Sequence, residues 1–278
     1  MSSFTRRGFH RAATALVAGA ALGGTAVPRS AAAATGRVVA DQPPTVLLVH
    51  GVFAGSSSWN GVIPLLQRSG YPVLAAANPL RDLAGDSAYV SSIIDTIPGP
   101  VILVGHSYGG AVITNAAREH DNVKALVYVA AFAPDAGESP LALTDKFPGS
   151  QLSSALITRP FPLPDGSTGY DGYVDPARFH EVFAADLTRS TAALMAVTQR
   201  PGSVGGLAGL SGAPAWKNLP SWYVIPAADQ VIPPAAQRYM AQRAGSRVVE
   251  VRDASHVVML SRPETVLRQI EAAAYAVR

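Results

Sequence analysis

Residues 101–110 read VILVGHSYGG: an apolar, mostly β-branched run from Val101 to Val104 leads into Gly105-His106-Ser107-Tyr108-Gly109 and then into small residues. The run predicts a buried strand, and the segment after it a helix from about Tyr108 to His120. Between them, G-x-S-x-G matches the sharp strand-to-helix turn that lifts a serine hydroxyl clear of a sheet. Glycines flank the serine because the bend is too tight for side chains. Alone the motif is weak, but seated between a strand and a helix it makes Ser107 the candidate nucleophile. The blander reading is a helix N-cap serine.

Outward from this turn the same alternation repeats. Upstream lie a buried strand over Thr45–His50, a helix over Ser57–Gln67 closed by Gly70, a strand over Val73–Ala77 and a helix over Ser87–Ile97. Downstream, strands are predicted over Val123–Val129, Ser221–Ile225 and Arg247–Val251, with helices over Pro234–Ala244 and Pro263–Val277. This is the pattern of an α/β fold, a mostly parallel sheet of about six strands with helices on both faces. From roughly 133 to 217 the alternation breaks into Pro, Gly and Ser clusters, with helix-like segments near Pro176–Asp186 and Ser190–Gln199. The stretch does not read as a sheet layer. It is expected to be a small helical lid at the carboxyl ends of the strands, where parallel sheets carry their binding sites.

The chain has 278 residues, 48% hydrophobic and 15% charged, enough to bury a sizeable core in one domain. Residues 1–34 carry Arg6, Arg7, Arg11 and Arg29 and no acid, so without them 22 basic against 19 acidic residues becomes 18 against 19. The remaining chain, 35–278, is nearly neutral, and nucleic acid is not an expected partner. Thr5-Arg6-Arg7-Gly8-Phe9 is a twin-arginine pattern, followed by a weakly apolar run from Ala12 to Val27 and by Ala31–Ala34, where a signal peptidase could cut. Export by the twin-arginine route is expected. Stable membrane insertion is not, since the run is shorter than the roughly 20 residues of a span. The absence of cysteine rules out disulfides and thiolate chemistry.

A serine hydroxyl needs a base, and in this kind of turn the chain order is serine, acid, histidine. His10 lies in the leader, His50 and His106 in backbone turns, and His120 and His180 on predicted helices. His256, in Asp253-Ala254-Ser255-His256 between the last strand and the last helix, is therefore the candidate base. Asp229, after Ser221–Ile225 and before Val231-Ile232-Pro233, is the favoured acid, with Asp135 its rival and Asp253 read as a turn former. Two backbone amides should bind an oxyanion: that of Tyr108, at a helix N-terminus, and that of Val52 in His50-Gly51-Val52-Phe53, with Phe53 the near alternative. His50 reads as a structural residue bridging loops. Phe53, Phe183, Val231 and Met259 are candidate substrate contacts. The aromatics Phe161, Tyr170, Tyr173, Phe179 and Trp216 could also line a pocket, although packing is the commoner role. No metal-ligand spacing, phosphate loop or dinucleotide fingerprint is present, so no cofactor is expected.

HGVFAGSSSW, GHSYGG, AAFAPDAGES, FAADL, TQRP and DASHVVMLSRP together resemble the α/β-hydrolase superfamily. The branch is that of plant methyl esterases, plant hydroxynitrile lyases and bacterial cofactor-independent esterases. The resemblance runs from about residue 44 to 276 and implies a helical lid over a mostly apolar acyl or alcohol pocket. The similar lyases carry threonine where Gly51 stands and lysine where Val257 stands, and both markers are missing. Relatives that open epoxides or remove halides use an aspartate in place of Ser107. The resemblance therefore implies a serine hydrolase, carboxylesterase- or lactonase-like, acting on a small-molecule ester. Perhydrolysis, C–C cleavage by the same triad, and non-catalytic ligand binding are the alternatives. Oligomeric state is not written in these motifs.

Overall fold

The computed structural model describes residues 43–277, so the twin-arginine segment lies outside the described residues. The strands are β1 (Thr45–Val49), β2 (Val73–Ala76), β3 (Val101–His106), β4 (Val123–Val129), β5 (Leu156–Pro162), β6 (Thr168–Val174), β7 (Gly202–Ser203), β8 (Ser221–Pro226) and β9 (Arg247–Val251). The helices before the lid are α1 (Ile63–Arg68), α2 (Leu83–Ile94) and α3 (Tyr108–Ala116). Those within it are α4 (Pro140–Asp145), α5 (Leu152–Ala155), α6 (Pro176–Phe183), α7 (Arg189–Thr198) and α8 (Val204–Ala208). The last are α9 (Pro234–Arg243), α10 (Val258–Ser261) and α11 (Pro263–Ala276).

Six strands form one sheet in the order β2-β1-β3-β4-β8-β9, and every neighbouring pair is parallel. The central strands β3 and β8 are buried along their whole length, whereas the edge strands β2 and β9 are partly exposed. That contrast follows from the sequence: VILV is apolar throughout, while RVVEV carries the charged Arg247 and Glu250. The chain runs from β1 to the edge strand β2 and returns on the other side of β1 as β3. The strand order therefore reverses between β1 and β3, and the crevice beyond their carboxyl ends is where such sheets bind ligands. Gly51 and Ser107 are both at that crevice, with Val49 paired to Gly105 in the last rung. Helix α3 presses onto the sheet so closely that a Cβ at Gly109 would fall 2.3 Å from the Val49 carbonyl oxygen.

Three expectations need correction. The helix expected over 57–67 is split into a 3₁₀ turn, Ser56–Trp59, and α1, while α2 begins at Leu83, earlier than Ser87. Asp82 caps that earlier start by accepting the Gly85 amide at 2.7 Å. The lid is also not purely helical. It contains a three-stranded antiparallel sheet, β5-β6-β7, whose β5 and β6 pair from Leu156↔Val174 to Pro162↔Thr168. Pro160 and Pro162 masked the strand signal, and β5 tolerates them because it is the edge of its sheet, where a missing N–H breaks no ladder.

Candidate active site

Ser107 has φ 55° and ψ −125°, a backbone conformation that costs an L-residue on the order of 1–3 kcal/mol and persists only when its surroundings fix it. They do so on both sides. Its N–H donates to Ala130 O at 3.1 Å, and its carbonyl accepts from Gly110 N at 3.0 Å and Phe132 N at 3.1 Å. The side chain, 2% exposed, lies at a cavity of about 230 Å³. Val52, Phe132, Phe147, Leu156, Leu207 and Val231 supply apolar walls. Against Ser107 sits Gly51: a Cβ at that position would fall 2.6 Å from Ser107 Cβ and 3.1 Å from its Oγ. The threonine of the similar lyases cannot be placed there at this backbone geometry.

At the ends of β8 and β9 the structure brings Asp229 and His256 together. His256 Nδ1 lies 2.8 Å from Asp229 Oδ2, and both side chains are fully buried. The carboxylate is held by three further donors: the amides of Val231 (2.7 Å) and Ile232 (3.0 Å) on Oδ1, and Gln237 Nε2 (2.7 Å) on Oδ2. It accepts the Nδ1 proton, which leaves the Nε2 lone pair of His256 available. Nε2 is buried without a hydrogen-bond partner among the described residues, so no bond to Ser107 is made. His106 closes the distance between the two loops. Its Nε2–H donates to the His256 carbonyl at 3.0 Å, and the two rings are 4.7 Å apart between centroids. Burial drives the His106 pKa well below the ordinary value, with the neighbouring histidines adding to the effect.

The rival acid Asp135 is in a surface ion pair with Lys217 at 2.6 Å, and Asp253 is exposed in a turn. The loop after β1 discriminates between the two candidate amides. Phe53 N donates to Arg200 O at 2.9 Å, while the N–H groups of Val52 and Tyr108 have no acceptor among the described residues. Tyr108 is anchored by its hydroxyl, which donates to buried Asp86 at 2.9 Å. Burial, then the Asp86 charge, pushes the phenol pKa up, and burial likewise raises that of Asp86. His50 bridges loops as expected: its Nδ1–H donates to Gly51 O at 2.9 Å, and its Nε2 accepts from Arg200 Nη1 at 3.1 Å. Burial, with Arg200 close by, lowers its pKa to about 4.

Of the four expected substrate contacts, Val231 alone lines the Ser107 cavity. Phe53 lines a separate groove beside α7, and Met259 is fully buried in the core. Phe183 is fully buried because α6 turns it inward onto the edge of the His256 ring, 5.0 Å between centroids, and onto Phe53. The lid's share of the cavity walls comes instead from α4, the Phe147–Ser150 turn, α5, Leu156 at the start of β5 and Leu207 of α8, none of them among the lid aromatics singled out above. Gln237 was legible only as a polar residue on the buried face that α9 shares with Ala236 and Met240. Among the described residues, no three side chains of metal-ligating type are grouped as a metal site, and no helix is long and apolar enough to cross a membrane.

Comparison with known proteins places this geometry in context. The model of the alpha/beta hydrolase family matches residues 46–269. Among similar proteins, a carbendazim hydrolyzing esterase of Nocardioides sp. is 33% identical over 124 residues, which cover 40% of this chain and 51%, about half, of that protein. Methylesterase 1 of Arabidopsis thaliana is 25% identical over 240 residues, covering 78% of this chain and 91% of its own. The crystal structure of polyneuridine aldehyde esterase superposes with a TM-score of 0.71 at 22% identity, over 84% of this chain and all of that one, and so speaks for the fold. Relatives named as esterases and hydrolases support hydrolase activity, and the chain belongs to the alpha/beta hydrolase family.

Proposed function

We propose that this protein is a serine hydrolase that cleaves small, apolar carboxylic esters or lactones through an acyl-enzyme. Ser107 Oγ attacks the carbonyl carbon as His256 Nε2 takes its proton, and the tetrahedral oxyanion is bound by the Val52 and Tyr108 amides. His256 then gives the proton to the leaving alkoxide, the C–O bond breaks, and water repeats the cycle on the acyl group with His256 as base. Asp229 holds the imidazole in the Nδ1–H tautomer and stabilises the imidazolium.

The single observation that carries this reading is the fully buried Asp229–His256 pair, whose imidazole packs on His106 of the serine turn and whose Nε2 has no partner among the described residues. The Oγ–Nε2 contact closes on substrate binding, since catalytic hydrogen bonds are often long without substrate. A cavity of about 230 Å³ lies below the roughly 300–1,000 Å³ of sites for drug-sized ligands, which favours short acyl or alcohol groups. The methylesterase relative agrees, since its name describes a one-carbon alcohol. The Arg6-Arg7 pattern leads us to propose that the enzyme works outside the cytoplasm, after twin-arginine export. The test is Ser107→Ala with p-nitrophenyl acetate: kcat should fall by about 10³-fold or more with the fold retained. Unchanged turnover removes the nucleophile assignment.

A further inference from the structure

The lid helix α7 is bracketed by two residues that reach out of the lid to the two loops on which the proposed chemistry depends. Before it, Asp186 Oδ1 accepts a hydrogen bond from Ser255 Oγ, and Ser255 immediately precedes His256. After it, Arg200 engages the loop after β1 with both side chain and backbone. Its Nη1 donates to His50 Nε2 at 3.1 Å and to Asn78 O at 2.9 Å, and its carbonyl accepts the Phe53 N–H at 2.9 Å. Phe53 has φ +61°, a left-handed conformation that a bulky residue rarely adopts without restraint, and the bond to Arg200 O supplies that restraint. With the Phe53 N–H turned to Arg200, the Val52 N–H is left without an acceptor among the described residues. The same segment presses on these loops at two more points. Phe183 packs on His256, and the Gly202 backbone lies so near Val52 that a Cβ there would fall 2.5 Å from Val52 Cγ1.

We propose that residues 183–202 form a strap that stays docked through turnover, with Arg200 a positioning residue for the Val52 amide and Asp186 a positioning residue for His256. This rests on the serine-hydrolase reading above. It assigns a task to the FAADL and TQRP segments, which touch no part of the Ser107 cavity. Substrate then enters on the side of α4, α5 and α8, and α7 need not lift.

The test uses the full chain and its variants Arg200→Gln, Arg200→Lys, Asp186→Ala and Asp186→Asn. For each, kcat and KM for p-nitrophenyl acetate are measured per site titrated with a fluorophosphonate. The affinity for phenylboronic acid, whose tetrahedral adduct presents an oxygen to the oxyanion amides, and the melting temperature complete the set. Misplacing a reacting group by about 1 Å costs on the order of 10²-fold. On that scale Arg200→Gln should lower kcat by roughly 10- to 100-fold, leave KM within about twofold and weaken the boronate in parallel. Arg200→Lys should recover part of the loss, because an ammonium still donates to His50 and Asn78 O. Asp186→Ala should lower kcat about tenfold, while Asp186→Asn, which keeps an acceptor for Ser255, should stay within about threefold of the parent. Variants that melt earlier yet keep the parent's kcat and boronate affinity per active site overturn the proposal. Should Arg200→Gln or Asp186→Ala not fold, Arg200→Lys and Asp186→Asn decide: parent-like boronate affinity and kcat in Asp186→Asn, with a shortfall in both for Arg200→Lys, uphold the strap, and an Arg200→Lys equal to the parent in both overturns it. Failure of the underlying reading shows separately, as a parent protein that the fluorophosphonate does not label.

Discussion

At position 51 a single hydrogen in place of a methyl decides how closely the loop after β1 approaches Ser107. Any Cβ there would overlap Ser107 Cβ at 2.6 Å, so Gly51→Ala must push either the serine turn or the loop after β1 aside. Displacement of this kind should cost about 10- to 100-fold in p-nitrophenyl acetate turnover, with an unchanged circular dichroism spectrum. A variant as active as the parent would show that the two loops do not work in register. Residue by residue, chain order and motif single out Ser107, Asp229 and His256 as candidates, and in the fold the last two meet through His256 Nδ1 and Asp229 Oδ2. His106 and Arg200 escaped because their partners lie far along the chain, and Gln237, only 8 residues from Asp229, because no motif marks it. His106 meets the His256 carbonyl across 150 residues, and no local pattern encodes such a meeting.

Among the elements, α9 is the one whose inward face bears directly on the candidate acid. Gln237 donates to Asp229 Oδ2 and to Ile232 O, while its own Oε1 is buried without a partner among the described residues. Gln237→Met, close in volume, removes the donor, at about 1–3 kcal/mol, and also removes the unpartnered oxygen, which offsets part of that cost. The net change in urea-unfolding stability should be under about 2 kcal/mol, whereas kcat should fall about tenfold as Asp229 loses a restraint on its orientation. Equal losses in both would make Gln237 a packing residue only. The elements of the main sheet were legible to within a residue or two, because buried parallel strands read as uninterrupted apolar runs. The β5–β6 hairpin was not, since ITRPFPLP gives prolines where a strand should show alternation, and only the edge position in the folded lid makes them acceptable.

For the molecule as a whole, two buried neutral histidines set the response to acid. His50 titrates at about 4 in the fold and near 6.5 when unfolded, and burial also holds His106 well below its ordinary value. Both are depressed, so between those values the unfolded chain binds more protons and stability falls as pH drops. His50 alone should remove roughly 2 kcal/mol between pH 7 and pH 5. The buried carboxyl of Asp86, whose pKa is raised, works in the opposite sense, because the fold accepts its proton more readily than the unfolded chain does. Urea-unfolding midpoints should therefore decline from pH 7 to 5, and His50→Gln should flatten that decline. An equal slope in the variant would remove His50 from the account. Such coupling could not be read from the sequence, where His50 was one histidine among 6 and its burial was unknown.

The closeness of α3 to β1 has a consequence for ancestry. Because the room at Gly109 is taken by a main-chain oxygen of the neighbouring strand, that glycine is demanded by architecture and would survive any loss of activity. A descendant that exchanged Ser107 for alanine and became a mere receptor would still display the glycine skeleton of GHSYGG. Gathering kin by that skeleton collects scaffolds, working and vestigial alike, and the hydroxyl has to be counted on its own.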